Sequence, residues 1–173
     1  MIRNHQNIFI VGLPGSGKTT LGKILAKDLL WDFEDSDQVI ETMEGTTIKN
    51  IFETHGEKYF RKAEYNYLKN FSSNRVVVAT GGGMPCQAKN ISLLRQKGTM
   101  IYLNCPVSVI INRLSSGDKI RRPMIKAENA EDLVNFYEKL IKERESFYQQ
   151  ADLIIDCQQN TEIVVKTIKH MLF

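Results

Sequence analysis

Gly12-Leu13-Pro14-Gly15-Ser16-Gly17-Lys18-Thr19 fits the pattern of a glycine, any four residues, then Gly-Lys-Ser/Thr that marks a phosphate-binding loop. Before it, Asn7-Ile8-Phe9-Ile10-Val11 is an apolar, partly β-branched run that reads as a buried strand. After it, residues 20–30 place Leu21, Ile24, Leu25 and Leu29 on one helical face. The motif therefore sits between a strand and a helix, the context its chemistry requires. Glycines let successive backbone N–H groups turn inward onto phosphate oxygens, and the helix N-terminus adds its own donors and dipole. Gly15, Ser16, Gly17, Lys18, Thr19 and Thr20 are the expected phosphate cradle. Within it Lys18 reaches the β- and γ-phosphates and the Thr19 hydroxyl holds Mg²⁺.

Working outward, Leu30-Trp31-Asp32-Phe33-Glu34-Asp35 reads as a second strand that runs into Ser36-Asp37. Ligands of open α/β sheets gather at the carboxyl ends of strands, and residues two apart on an extended segment point the same way. Asp35 and Asp37 can thus serve one site, one carboxylate supporting Mg²⁺ and the other accepting a hydrogen bond or proton from a substrate hydroxyl. The plainer alternative is that Asp35-Ser36-Asp37 caps the next helix, with Ser36 or Asp37 as the cap. Helices are expected over 38–44, 46–55 and 57–71, punctuated by Gly45 and Gly56. So much helix between two strands exceeds a usual crossover and points to an inserted substrate-binding subdomain. Arg61 in the third helix is either a solvated charge or a planar fork for a carboxylate or phosphate.

Arg75-Val76-Val77-Val78-Ala79-Thr80 reads as a central strand and runs directly into Gly81-Gly82-Gly83. Three glycines in a row are costly to order, so the run is either a simple turn or a place where backbone must approach a ligand closely. A helix over 88–97, a strand over 99–103 and a helix over 106–114 follow. The next segment, Ser115 to Pro123, is polar and basic: a solvated loop, or a mobile cover that brings Arg121 or Arg122 onto a transferring phosphate. Arg144 lies within the apolar stripe of a helix over 131–149 and needs an anion there, from protein or ligand. A last strand over 151–156 and a helix over 161–172 complete five strands alternating with helices. Such alternation predicts a parallel sheet covered on both faces.

The 173 residues fit one domain, 1–173, and 42% hydrophobic with 25% charged residues is ordinary for a globular chain. A net charge of +3 without a long basic run makes no case for nucleic acid. The N-terminus lacks the apolar core of a signal peptide, and no stretch approaches membrane-spanning length, so a cytoplasmic protein with no membrane partner is expected. Cys86, Cys105 and Cys157 are widely spaced and odd in number, which argues against a disulfide and for small apolar fillers in a reducing cytosol.

Taken together, Phe33-Glu34-Asp35-Ser36-Asp37, Ile51-Phe52 with Gly56-Glu57, Phe60-Arg61 and Glu64, Gly81-Gly82-Gly83, and Arg122-Pro123 make the chain resemble the shikimate kinases over nearly its whole length. The resemblance implies a three-layer α/β/α fold with a five-stranded parallel sheet in order 2-3-1-4-5. It also implies an acceptor-binding subdomain over 33–61 and a lid over 112–124. Implied too is transfer of a phosphoryl group from ATP to the 3-hydroxyl of shikimate, with Mg²⁺ as cofactor, ATP and shikimate as partners, and a monomer. Lys18, Asp37 and Arg122 would be catalytic, with Asp37 the proton acceptor. Arg113 and Arg122 would join the phosphate loop on ATP, and Thr19 and Asp35 would hold the metal. Asp37, Arg61, Gly81, Gly82, Gly83 and Arg144 would bind shikimate, the two arginines on its carboxylate. Where family members often carry Arg-x-Pro-Leu-Tyr, this chain has Arg144-Glu145-Ser146-Phe147-Tyr148, keeping the arginine and the tyrosine. The rival readings are another small-metabolite kinase, such as a gluconate or nucleoside monophosphate kinase, and a catalytically silent nucleotide-binding module.

Overall fold

A computed structural model describes residues 7–115 and 130–172. Five parallel strands, β1 (Asn7–Val11), β2 (Asp32–Asp35), β3 (Val76–Ala79), β4 (Thr99–Asn104) and β5 (Leu153–Asp156), form one sheet in the order β2-β3-β1-β4-β5. The connecting helices are α1 (Lys18–Leu29), α2 (Ser36–Glu44), α3 (Ile48–Asn70), α4 (Ala88–Lys97), α5 (Val107–Ser115), α6 (Ala130–Tyr148) and α7 (Thr161–Leu172). The expected fold and strand order are those observed.

Alternation along the central strands explains why both faces of the sheet are covered. Phe9 and Val11, Val76 and Val78, and Met100 and Tyr102 point into one apolar layer, which α3, α4, α5 and α6 cover. Ile8 and Ile10, Val77, and Ile101 and Leu103 point the other way, under α1 and α7. Fully burying one such aliphatic side chain is worth about 1.5–3 kcal/mol, so these two layers supply the main drive for the fold. Register is the same throughout: Ile8 lies opposite both Val77 and Thr99, which brings all the strand ends to one edge of the sheet.

Three local expectations need correction. Ile24 is 40% exposed, and the inward face of α1 uses Leu21, Gly22, Leu25 and Ala26 instead. A Cβ on Gly22 would lie 2.7 Å from the Phe33 ring, so the absent side chain there lets β2 pack on α1. The strand expected from residue 30 begins at Asp32, because Leu30 takes a left-handed conformation (φ 55°) as the α1 cap. The third concerns the cysteines: Cys105 and Cys157 form a disulfide, and only Cys86 is free. Each follows directly on the last residue of its strand, and β4 and β5 pair Asn104 with Asp156, so the next pair in register is Cys105 with Cys157. Gly56 has a non-helical backbone (φ 77°, ψ 174°), so α3 is two helical stretches joined at a kink, broken where the sequence predicts.

Candidate active site

Three strand ends and the helices that follow them build the site. After β1, the turn through Gly12, Gly15 and Gly17 takes positive φ at all three glycines, and Gly17 leads into the first turn of α1. Lys18 is buried and its ammonium donates to the carbonyls of Gly12 (3.0 Å) and Leu13 (2.9 Å), folding the loop around its own cation. The Ser16 hydroxyl is buried without a hydrogen-bond partner, so a polar group is already aimed where a phosphate oxygen would sit. Thr20 is exposed at the rim, and Gly15, Gly17 and Thr19 are partly covered.

Asp35 divides its two carboxylate oxygens between the start of α2 and the phosphate loop. Asp35 Oδ1 caps α2 by accepting the Asp37 N–H (3.1 Å), while its Oδ2 accepts from the Thr19 hydroxyl (2.9 Å). The cap is thus Asp35, not Ser36 or Asp37. Two hard oxygens, one from the first turn of α1 and one from the end of β2, meet here beside the phosphate loop. Such a pair suits Mg²⁺, which takes one or two protein oxygens and completes its shell with phosphate and water.

Asp37 stands in the first turn of α2 with Oδ1 buried and unpartnered. Burial, aided by the nearby Asp35 charge, pushes its carboxyl up to about 6, against the pull of Lys18 and Arg61. The glycine run faces it. Gly81 donates to the buried Ser36 hydroxyl (2.9 Å), and a Cβ on Gly81 would collide with the Asp37 carboxylate. One on Gly82 would lie 2.9 Å from Pro14 of the phosphate loop and 3.3 Å from Arg144. A third, on Gly83, would lie 2.6 Å from the Arg61 guanidinium. The run is therefore where backbone approaches four side chains at once: Pro14, Asp37, Arg61 and Arg144.

Arg61 is not a solvated charge. It donates to Glu57 through Nη2 (2.8 Å) and Nε (3.1 Å), and to Glu64 through Nη1 (2.8 Å). Glu64 is fully buried; burial pushes its carboxyl up to about 7, with the guanidinium groups of Arg61 and Arg144 pulling the other way. Arg144 and Tyr148 lie one turn apart on α6. The Tyr148 hydroxyl donates to the Gly82 carbonyl (2.6 Å), hydrogen-bonds Arg144 and stacks its ring on Tyr102. Arg113, near the end of α5, donates to the Ser16 carbonyl (2.9 Å) and to the Cys157 carbonyl (3.2 Å), which puts it on the phosphate-loop side.

The structure thus brings Lys18, Thr19, Asp35, Asp37, Arg61, Gly81, Gly82, Gly83 and Arg144 together beyond the ends of β1, β2 and β3, with Arg113 on the outer side of the phosphate loop. Arg121, Arg122 and residues 116–124 of the expected lid lie outside the described residues. Ser36, a cap candidate by sequence, instead holds Gly81, and the sequence reading assigns no role to Glu64 or Tyr148, although spacing holds a signal for both. Glu64 follows Arg61 by three residues and Tyr148 follows Arg144 by four, each on the same helical face.

The shikimate kinase family profile matches residues 14–172 of the chain. A shikimate kinase from Clostridium botulinum (strain Langeland) is 39% identical over 165 residues, covering 94% of each chain. Among solved structures, the shikimate kinase from Bacteroides thetaiotaomicron superposes with a TM-score of 0.90 at 32% identity, covering 96% of this chain and 97% of that one. The shikimate kinase from Acinetobacter baumannii in complex with shikimate gives 0.86 at 36% identity, covering 97% and 93%. With that likeness running from the phosphate loop to the last helix, the chain belongs to the shikimate kinase family.

Proposed function

We propose that this protein transfers the γ-phosphoryl group of ATP to the 3-hydroxyl of shikimate, releasing ADP and shikimate 3-phosphate. The observation that carries the reading is the Asp37 carboxylate: buried, one oxygen unpartnered, and placed between the phosphate-loop lysine and the arginine–glycine wall. With its carboxyl raised to about 6, Asp37 is ionised at neutral pH yet basic enough to take the proton of the attacking hydroxyl. Arg61 and Arg144 hold the substrate carboxylate, and Gly81, Gly82 and Gly83 offer the substrate backbone groups while letting Asp37, Pro14 and Arg61 pack close. Glu57 and Glu64 fix the orientation of the Arg61 fork.

On the donor side, the backbone from Gly15 to Thr20 cradles the phosphates, and Lys18 exchanges its carbonyl partners for β- and γ-phosphate oxygens. Thr19 and Asp35 would hold Mg²⁺, which would supply positive charge against the phosphates. Arg113 flanks the adenine, and Arg122 closes from the lid over 112–124 onto the transferring group. Residues 33–61 act as the acceptor-binding subdomain of a single domain. No covalent intermediate is needed, because phosphoryl transfer is served by alignment and charge neutralisation. We place the enzyme in the cytoplasm as a monomer with no nucleic-acid partner.

ADP release by the purified protein with Mg-ATP, with shikimate, gluconate or a nucleoside monophosphate added separately, tests the reading. Release that depends on shikimate alone is expected. Release with gluconate or a nucleotide instead would assign a different kinase, and none with any acceptor would leave a silent nucleotide-binding module.

A further inference from the structure

The Cys105–Cys157 disulfide lies at the nucleotide end of the sheet, and one guanidinium ties it to the phosphate loop. Arg113 Nη1 donates to the Ser16 carbonyl (2.9 Å) and lies 3.6 Å from Cys105 Sγ, while Nη2 donates to the Cys157 carbonyl (3.2 Å). A Cβ on Gly17 would lie 3.5 Å from the same Nη1, so Arg113 is packed against the loop that cradles phosphate. We propose that Cys105 and Cys157 form a thiol–disulfide exchange site, taking a dithiol as its reactant, whose redox state sets the affinity of the adjacent phosphate loop for nucleotide.

The two sulfurs have different surroundings, and the difference fixes the direction of exchange. Cys157 is partly exposed and flanked by exposed Asp156, Gln158 and Gln159, whereas Cys105 is buried. An incoming thiolate attacks the accessible Cys157 sulfur, the Cys105–Cys157 bond breaks, and Cys105 leaves as a thiolate beside the Arg113 guanidinium. A cation there stabilises the leaving thiolate, which is the condition for fast exchange. The second thiol of the reductant then attacks the mixed disulfide and releases Cys157. Over the cycle two electrons and one proton pass to the cysteine pair, which leaves Cys157 a thiol and Cys105 a thiolate; the second proton goes to solvent, and the dithiol becomes a disulfide. Free Cys86 stays out of the exchange, because burial pushes its thiol up to about 11 and leaves it protonated.

Coupling to nucleotide follows from what the bond holds. Oxidised, it locks the turn after β5 to the end of β4, which fixes the Cys157 carbonyl that Arg113 uses as one of its anchors. Reduced, that turn keeps the backbone bond from the Cys157 N–H to the Asn104 carbonyl (2.9 Å) but loses its covalent tie. Arg113 is then paired with a thiolate and drawn from its position against Ser16. Disulfides in reducing compartments serve transient, redox-sensing roles, and a pair aligned by sheet register can close and open with no change of fold.

The proposal rests on nucleotide binding at the phosphate loop, as read above, so its test measures that binding directly. Mg-ADP titrated calorimetrically into the protein, oxidised or reduced with dithiothreitol, is expected to bind roughly fivefold or more tightly to the oxidised form. KM for ATP rises on reduction while KM for shikimate stays constant, and Cys157→Ser behaves as the reduced form under both conditions. By reciprocity Mg-ADP makes the disulfide harder to reduce, lowering its midpoint by about 20 mV for a fivefold difference. Equal Mg-ADP affinity in the two states overturns the proposal. So does finding three alkylatable thiols after equilibration with excess oxidised dithiol, or a change confined to shikimate. Absence of Mg-ADP binding in both states removes the nucleotide reading, and the proposal with it. Mg-ADP binding without shikimate turnover removes only the acceptor assignment.

Discussion

Asp37 shows what the site requires of a single residue. Its carboxylate is charged at neutral pH although burial and Asp35 both oppose the charge. The ordinary aspartate value is about 4, so between pH 4 and 6 the folded state binds more protons here than the unfolded chain. Its contribution to stability is therefore fully present below pH 4 and lost as pH rises through 6. Asp37→Asn is expected to lower kcat by about a hundredfold or more, as loss of a general base does. The same variant should be more stable than the wild type by about 1–2 kcal/mol at pH 8, and so melt at a higher temperature, with the gain shrinking towards pH 5. Thermal melts at the two pH values check the sign; a destabilised variant at pH 8 would mean the carboxylate is structural. Wild-type kcat/KM should fall below pH 6 as Asp37 takes up its proton.

At the scale of elements, the glycine run is best understood as space left for other side chains. None of the three glycines takes a positive φ, so close approach and not conformation explains them. Gly83→Ala puts a methyl group against the tip of Arg61, the far end of a flexible side chain that can swing aside. The swing also weakens the pair with buried Glu64, so some stability is lost along with the aimed fork. KM for shikimate is expected to rise about tenfold, with kcat affected less, on the footing that a charge-assisted bond is worth about 1.5–3 kcal/mol. An unchanged KM would separate Arg61 from the acceptor. This part of the site was legible as a need for bare backbone after β3, but its partners were not. Pro14, Asp37, Arg61 and Arg144 come from separate elements and meet only in the fold. Likewise Asp35 could be read as cap or metal support from its spacing, and only the structure divides its two oxygens between the cap and Thr19. The inward face of α1 was misjudged at Ile24 because apolar spacing does not reveal that Phe33 needs the room left by Gly22.

For the whole molecule, a parallel sheet in the order β2-β3-β1-β4-β5 brings every functional strand end to one edge. Alternating strand and helix signals made that architecture readable before any contact was known. Long-range register was not readable, and the disulfide is its clearest product. Cys105 and Cys157 are 52 positions apart, and only the pairing of β4 with β5 makes them neighbours. Cover over the donor side is assigned to Arg122, beyond the described residues. Arg122→Ala should lower kcat roughly a thousandfold, as removal of an arginine from a transferring phosphoryl group does, while Mg-ADP still binds. Near-normal turnover would remove that arginine from the site. The whole arrangement has one chemical consequence that distinguishes it from any other use of a phosphate loop. Mass and phosphorus NMR analysis of the product formed from Mg-ATP and shikimate should show one phosphate ester, on the 3-hydroxyl, appearing in step with ADP. Shikimate recovered unmodified while ATP is consumed, or an ester on another hydroxyl, would contradict the account.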